Sequence, residues 1–468
     1  MTHPGTAERP ARVAIVGSGP AGFYTAEHLL ARRGLSVQVD VYERLPTPFG
    51  LVRFGVAPDH AKIKSVTRVY DRVASKPGFR FFGNVEVGEH VTLEDLQRHY
   101  HQVCFATGAQ TDRQMGIPGE DLQRSHTATE FVAWYNGHPD YRDRHFDLSV
   151  ERVAVVGVGN VAVDVARILC RTPEELAQTD IADYALDALR GSRVREVYML
   201  GRRGPAQAAF TNAEIKELGD LPAADLVVRS DEVELDPLSR RALEANPDRA
   251  TSKKVEILQD LPKHHPAGKP RRLTIRFLVS PVELMGNEAG GVVGVRLVKN
   301  ELYTSEDGSL RPTPTAVLED LPVEMVFRSV GYRGVPIPGL PFDAKRGIVP
   351  NQMGRVTQHD TGEPMVGVYV SGWIKRGPTG VIGTNKPDAG ETVRAMLEDL
   401  QQGTVLRPSQ PDPAAVEWLV RERQPRSVSY EDWRCLDALE VERGRDQGRP
   451  RVKFTTVEEM LGAMRSKE

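Results

Sequence analysis

The sequence predicts an α/β protein made of two Rossmann-like dinucleotide-binding domains, the second inserted into the first. Three observations carry this prediction. An apolar strand near the N-terminus runs into a glycine-rich turn and a helix, and the same pattern recurs from Arg152. Apolar strands that return the chain to each sheet then follow in nested order.

The 468 residues are enough for two to four domains at roughly 100–200 residues each. Lys and Arg number 61 against 64 Asp and Glu, and the net charge of −3 argues against a protein that coats nucleic acid. The three cysteines, Cys104, Cys170 and Cys435, form no CxxC pair or Cys/His cluster. No metal site, resident iron–sulfur cluster or redox dithiol is therefore expected. So sparse a cysteine content suits a reducing compartment. The first twelve residues hold no hydrophobic signal core, and no run of 18 apolar residues occurs. A cytoplasmic protein without a membrane span is the expectation.

The first pattern is Arg12-Val-Ala-Ile-Val-Gly-Ser-Gly-Pro-Ala-Gly22. Val13 to Val16 fit a buried parallel strand. Gly17, Gly19 and Gly22 have GxGxxG spacing: the first for the tight turn, the second for approach of a pyrophosphate, the third for close helix–strand packing. A helix over about 20–33 points its N-terminal amides at that phosphate, with Gly34 as its C-terminal cap. The next strand, Val37 to Glu43, ends in an acid 21 positions after Gly22, where a carboxylate accepts the ribose hydroxyls of an adenosine.

The second pattern, Arg152 to Ala162, keeps Gly157 and Gly159 and puts Ala162 at the third position. A helix follows toward Leu169, then an extra helical stretch over about 173–189, then a strand from Glu196 ending in Gly201-Arg202-Arg203-Gly204. The acid of the first fold gives way here to two arginines. A 2′-phosphate is a dianion that guanidinium groups bind and a carboxylate repels, so this site is expected to read NADP(H). Two nucleotide folds of opposite charge in one chain point to a flavin–nicotinamide electron path.

Strands expected at 102–109, 323–331 and 367–372 return the chain to its sheets, and a helix is expected over 387–400. The tail beyond Arg407 shows helical stretches only at 414–419 and 457–464. The expected domains are an FAD-binding domain formed by residues 1–112 and 334–468, and an NADP-binding domain of residues 113–333.

The segments Leu45-Pro-Thr-Pro-Phe-Gly-Leu-Val-Arg-Phe-Gly-Val-Ala-Pro-Asp-His-Ala-Lys62, Phe81-Phe-Gly-Asn-Val85, Gly201-Arg-Arg-Gly-Pro205, Ala209-Phe-Thr211 and Gly372-Trp-Ile-Lys-Arg-Gly-Pro-Thr-Gly380 are far more specific than GxGxxG. Over nearly its whole length the chain resembles the adrenodoxin reductase-like ferredoxin–NADP reductases, particularly the bacterial ones. The resemblance implies a glutathione reductase-like architecture, bound FAD, and electron transfer between NADPH and a small iron–sulfur protein, ferredoxin. It implies FAD contacts from Gly17, Gly19, Ala21, Glu43, Leu51, Val87, Trp373, Gly380, Val381 and Ile382, beside Gly22 of the fingerprint. It implies NADP(H) contacts from Arg113, Asn160, Val161, Ala162, Val163, Arg202, Arg203, Glu214 and Gly380. It further implies that His60 and Asp164 pair beside the flavin; the loop amides of 380–382, near the following helix, are expected to offset negative charge on it.

A monomer would suit a partner that must approach the flavin edge. An acidic partner would dock on the basic set Arg240, Arg241, Arg249, Lys253, Lys254, Lys263, Lys269, Arg271 and Arg272. The competing readings are an NADPH-dependent flavin oxidase or monooxygenase and a non-enzymatic redox sensor. A disulfide reductase would need paired cysteines, and the FxGxxxH pattern of a monooxygenase fails because Val87 stands at its histidine.

Overall fold

In the computed structural model, which describes residues 4–465, the chain divides into two compact units. The first runs to Val56, resumes over His60–Thr111 and returns from Gly331; the second holds Asp112–Val330. The second unit also takes Ala57–Asp59, which the sequence reading assigned to the first. The cause is an ion pair. Asp59 accepts hydrogen bonds from Arg167 Nε at 2.7 Å and from Arg171 Nε at 2.7 Å, and the Arg167 side chain is fully buried.

The first unit is built on a seven-stranded sheet in the order Asn351–Gln352, Arg355–Thr357, Pro364–Val370, Gln102–Phe105, Ala11–Val16, Val37–Tyr42, Phe79–Phe82. The last five pair in parallel, and every residue of Ala11–Val16 is buried. Strand order reverses at Ala11–Val16, whose neighbours are the second strand on one side and the fourth on the other. In open α/β sheets ligands bind beyond the carboxyl ends of the strands at such a switch point. The helices Pro20–Leu30 and Asn385–Gln402 pack together over the sheet.

The second unit repeats the plan with six parallel strands in the order Ser125–Thr127, Met325–Arg328, Arg152–Val156, Glu196–Leu200, Arg271–Arg276, Ala224–Val228. Arg152–Val156 occupies the switch point. The expected helix over 173–189 is two helices, Pro173–Leu176 and Asp183–Arg190. Thr172 and Glu175 close a capping box on the first, and the Ala182 amide leaves helical pairing to donate to the Tyr135 carbonyl at 2.9 Å. A three-stranded antiparallel sheet, Val279–Gly286, Val292–Thr304 and Leu310–Leu321, was missed. Its signal is nonetheless present: Val292, Val293, Val295, Leu297 and Val298 make a β-branched and apolar run, and Asp307-Gly308 sits in the turn that connects it to the next strand.

The C-terminal segment holds a third helix that sequence reading overlooked, Tyr430–Arg445. Its inward residues are Trp433, Leu436, Glu440 and Gly444, so a carboxylate and a glycine occupy half of the buried face and hide its periodicity. Glu440 is fully buried and holds Arg53 through two hydrogen bonds of 2.6 and 2.9 Å. It also accepts from Arg451 at 3.2 Å and from the Phe454 amide at 3.0 Å. Burial alone would push its carboxyl up, but Arg53 and Arg451 outweigh burial and hold it below the ordinary value.

Glu440→Gln leaves a buried guanidinium without its counter-charge and should cost about 3–5 kcal/mol in urea unfolding at pH 7. The native contribution is complete above the unfolded carboxyl value of about 4.3 and is lost as pH falls through the lower folded value. The gap between wild type and variant should therefore narrow below pH 4; an unchanged gap there would contradict the pairing.

Candidate functional site

The two glycine turns are built alike. The Gly17 amide donates to the Tyr42 carbonyl at 2.8 Å, and the Gly157 amide donates to Leu200 at 2.9 Å. Both glycines have positive φ, +103° and +131°. A Cβ on Gly17 would lie 2.5 Å from the Ala106 carbonyl oxygen, and one on Gly157 would lie 2.4 Å from that of Ser329. At Gly22 a Cβ would fall 2.0 Å from the Gly17 oxygen, which is why the helix can sit so close to the strand. A Cβ on Gly19 or Gly159 would meet no protein atom within 4 Å. Each turn thus opens a space in front of the first amides of an eleven-residue helix, the geometry that accepts a pyrophosphate.

What differs is the strand end each turn faces. In the first unit Ser18 donates to Glu43 Oε2 from Oγ at 2.7 Å and from its amide at 3.2 Å, which holds the carboxylate beside the turn. By backbone position Gly201 is the counterpart of Glu43. Val158, the counterpart of Ser18, would approach a Cβ there at 3.0 Å. Arg202 and Arg203 follow directly, and among the described residues neither has a carboxylate within ion-pair distance. Burial and the neighbouring Arg202 charge lower the Arg203 pKa. Two guanidiniums crowded together without an acid are a ready anion site.

Two motifs of the first unit converge on its turn. The Phe49 amide donates to the Ser18 carbonyl at 3.0 Å, and a Cβ on Gly50 would lie 3.1 Å from Gly19 Cα. Phe49 holds a φ of +86° because its ring is locked among Phe23, Tyr70 and Trp433, with centroids 5.5 to 5.9 Å away. Leu51, half-buried, begins the next turn of helix. From the other end of the chain, a Cβ on Gly372 would reach Ala21 Cβ at 2.5 Å, so that turn is pressed onto the first turn of Pro20–Leu30. Trp373 lies beside it, its Nε1 donating to the Thr379 carbonyl at 3.1 Å and its ring 5.3 Å from that of Tyr332. Asp388 anchors the turn by accepting from the Gly372 amide at 2.6 Å and pairing with buried Lys375 at 3.2 Å. Sequence reasoning missed Asp388; an acid in the first turn of a helix was its only signal.

The remaining expected residues divide as follows. Gly380 and Val381 are exposed, and Ile382, half-buried, opens the 3-10 turn that leads into Asn385–Gln402. Val87 is half-buried and bridges to Val91. Asn160, Val161, Ala162 and Val163 form the first turn of Asn160–Cys170, but the side chains of Ala162 and Val163 are wholly in the core, so only their backbone faces the turn. Glu214 closes a capping box with Thr211, accepting from its amide at 2.6 Å. Arg113 is exposed. Asp164 belongs to the second unit, where Arg167 holds it at 2.7 Å, whereas His60 belongs to the first, at the start of Ala61–Lys64.

Of the basic set expected to dock a partner, Lys254 is buried and Lys269 and Arg271 are half-buried, while the other six are exposed. Lys254 is buried and donates to the Ala208 carbonyl; Lys269 and Arg271 donate to Leu221 and Val194. Arg272, Lys253 and Lys263 pair with Glu196, Glu256 and Asp260. Cys104 and Cys170 are free and buried, with thiols pushed up to about 12 by burial, and so have little thiolate character. Among the described residues no helix is long and apolar enough to cross a membrane.

Two parallel-sheet units, each with a glycine turn at its switch point, define an α/β oxidoreductase of the two-nucleotide class. Residues 11–199 match the family described as pyridine nucleotide-disulphide oxidoreductase. The chain is 46% identical to NADPH-ferredoxin reductase FprA of Mycobacterium tuberculosis over 97% of this chain and 99% of that protein. It is 42% identical to the mitochondrial NADPH:adrenodoxin oxidoreductase of Salvelinus fontinalis, over 97% and 91% of the two chains. The solved structure of Mycobacterium tuberculosis FprA in complex with NADPH matches with a TM-score of 0.91 at 44% identity, covering 97% of this chain and all of that one. The chain belongs to the adrenodoxin reductase-like ferredoxin–NADP reductases.

Stripped of dinucleotide, Gly19→Ala should melt at the wild-type temperature, because its Cβ enters open space, yet as purified it should retain markedly less dinucleotide than wild type. Gly22→Ala, whose Cβ collides with backbone, should lower the melting temperature itself. Equal melting temperatures for the two variants would contradict the geometry of the turn.

Proposed function

We infer that the protein is an FAD-dependent ferredoxin–NADP(+) reductase, which moves electrons between NADPH and ferredoxin. The observation that carries this is the pairing, in one chain, of two like-built glycine turns with opposite charge: a carboxylate beside one, two acid-free guanidiniums beside the other. Near full-length relationship to NADPH-ferredoxin and NADPH:adrenodoxin reductases supports the same reading. When bound, FAD supplies what no side chain can, taking a hydride from NADPH and releasing two electrons singly to a one-electron partner.

The residues present fit both nucleotides. Backbone at Gly17, Gly19, Ala21 and Gly22 holds the FAD pyrophosphate, and Glu43, kept in place by Ser18, accepts from the ribose. Leu51, Val87 and Trp373 wall the FAD, and the amides of Gly380, Val381 and Ile382 face it. For NADP(H), the first-turn amides of Asn160, Val161, Ala162 and Val163 take the pyrophosphate, and Arg202 and Arg203 take the 2′-phosphate. Arg113, Glu214 and Gly380 complete that set. His60 and Asp164 are supporting residues in this reading, each suited to orient water or carry charge; hydride transfer itself requires no protein base. The protein works as a cytoplasmic monomer. Its scarce, unpaired cysteines support the compartment.

The coupled assay tests the whole reading. Purified protein should show a bound flavin spectrum, prefer NADPH to NADH, and reduce cytochrome c only when a ferredoxin is added. Rapid NADPH oxidation with no ferredoxin reduced would favour the oxidase or sensor alternatives. In Arg202→Ala/Arg203→Ala the KM for NADPH should rise by about 10- to 100-fold while that for NADH moves less than about twofold. An equal rise for both would refute the arginine assignment. His60→Gln should slow at least one half-reaction in stopped-flow; two unchanged half-reactions would remove the pair from the mechanism.

A further inference from the structure

The antiparallel sheet of the second unit is bound to the arginine loop more closely than a decorative insertion would be. Three successive carbonyls of that loop are taken by it. The Val279 amide donates to Gly201 at 3.0 Å, Asn300 Nδ2 donates to Arg202 at 2.9 Å, and the Leu278 amide donates to Arg203 at 3.2 Å. Asn300 is itself buried, donates also to Ser280 Oγ at 2.8 Å, and has its own amide on the Leu278 carbonyl at 2.7 Å. The far end of the same sheet comes back to the arginines. Arg202, Arg203, Tyr303, Ser309, Arg311 and Pro312 line one cavity of about 390 Å³. Tyr303 and Arg311 lie directly opposite each other in the ladder of Val292–Thr304 with Leu310–Leu321. Both are about half exposed, with Arg311 held toward the turn by Asp307 at 2.7 Å.

We propose that this hairpin is the outer wall of the 2′-phosphoadenosine pocket, with Arg311 as a third cation for the 2′-phosphate and the Tyr303 ring as an aromatic face for the adenine. The chemistry favours it. The three oxygens of a phosphate dianion accept more hydrogen bonds than two bidentate guanidinium forks donate, and Arg311, exchanging its exposed Asp307 partner for the phosphate, brings a further planar fork to the same cavity. An exposed aromatic ring beside a cationic phosphate site offers a face on which a base stacks. The proposal rests on Arg202 and Arg203 reading the 2′-phosphate, and adds residues to which no role has been given.

Titration calorimetry of the purified holoenzyme with 2′,5′-ADP, and with 5′-ADP as the probe lacking the 2′-phosphate, tests it. Arg311→Ala should weaken 2′,5′-ADP about tenfold and 5′-ADP less than about twofold, and Arg311→Lys should recover part of the loss. Tyr303→Ala should weaken both probes, and Tyr303→Phe neither. Wild-type binding of 2′,5′-ADP by Arg311→Ala, alongside its loss in Arg202→Ala/Arg203→Ala, would overturn the hairpin proposal and leave the arginine pair standing. Equal weakening of both probes by Arg311→Ala would also overturn it. Wild-type binding by the double variant would instead remove the reading on which the proposal rests.

Discussion

The close approach of helix to strand at the first glycine turn is the constraint around which the first unit is arranged. With no Cβ on Gly22, the helix Pro20–Leu30 sits against the Gly17 carbonyl and aims its first amides into open space. Two further approaches of the same kind bring distant segments to that spot. Gly50 abuts Gly19, and Gly372 abuts Ala21. Neither tolerates a side chain, so the walls of the site are set by backbone contact and not by adaptable side-chain packing.

Backbone walls need anchoring, and buried charge does it. Phe49 is held at an unfavourable φ by a ring cluster that includes Trp433, and Arg53, four residues on, is held by Glu440 of the same C-terminal helix. At the other end Asp388 and Lys375 hold the Gly372 turn. Buried ion pairs contribute little net stability over apolar contacts, but they accept only one geometry. Here they fasten the segments that close on the first glycine turn. In the second unit Asp59 and Arg167 do the same for a three-residue stretch that contact places there.

The two turns also show how small a change separates two cofactor chemistries. Ser18 and Glu43 make a hydrogen-bonded pair suited to ribose hydroxyls; Val158 and Gly201 replace them with an apolar contact. Removing the acid leaves Arg202 and Arg203 uncompensated. Their mutual repulsion is held in place by a sheet that claims the loop's carbonyls one after another. An anion set between such guanidiniums would relieve that repulsion.

The local signals were strong at both turns. GxGxx followed by a small residue, a preceding β-branched run, and the charge at the next strand end depend on residues within one supersecondary unit, and the fold class, both turns and the Glu43/Arg202–Arg203 contrast were legible from them. The tail helix Tyr430–Arg445 was not, because its inward face carries Glu440 and Gly444, which become core residues only when Arg53 and the 449–451 segment meet them. Three members of the expected basic set, Lys254, Lys269 and Arg271, turn inward for the related reason that they find backbone acceptors far along the chain. By itself the sequence determined the two glycine turns and the charge at each following strand end, since both lie in short, contiguous motifs. Only the tertiary structure decided which charges are spent, which segment belongs to which unit, and what stands across from the arginines, since each depends on partners tens or hundreds of residues away.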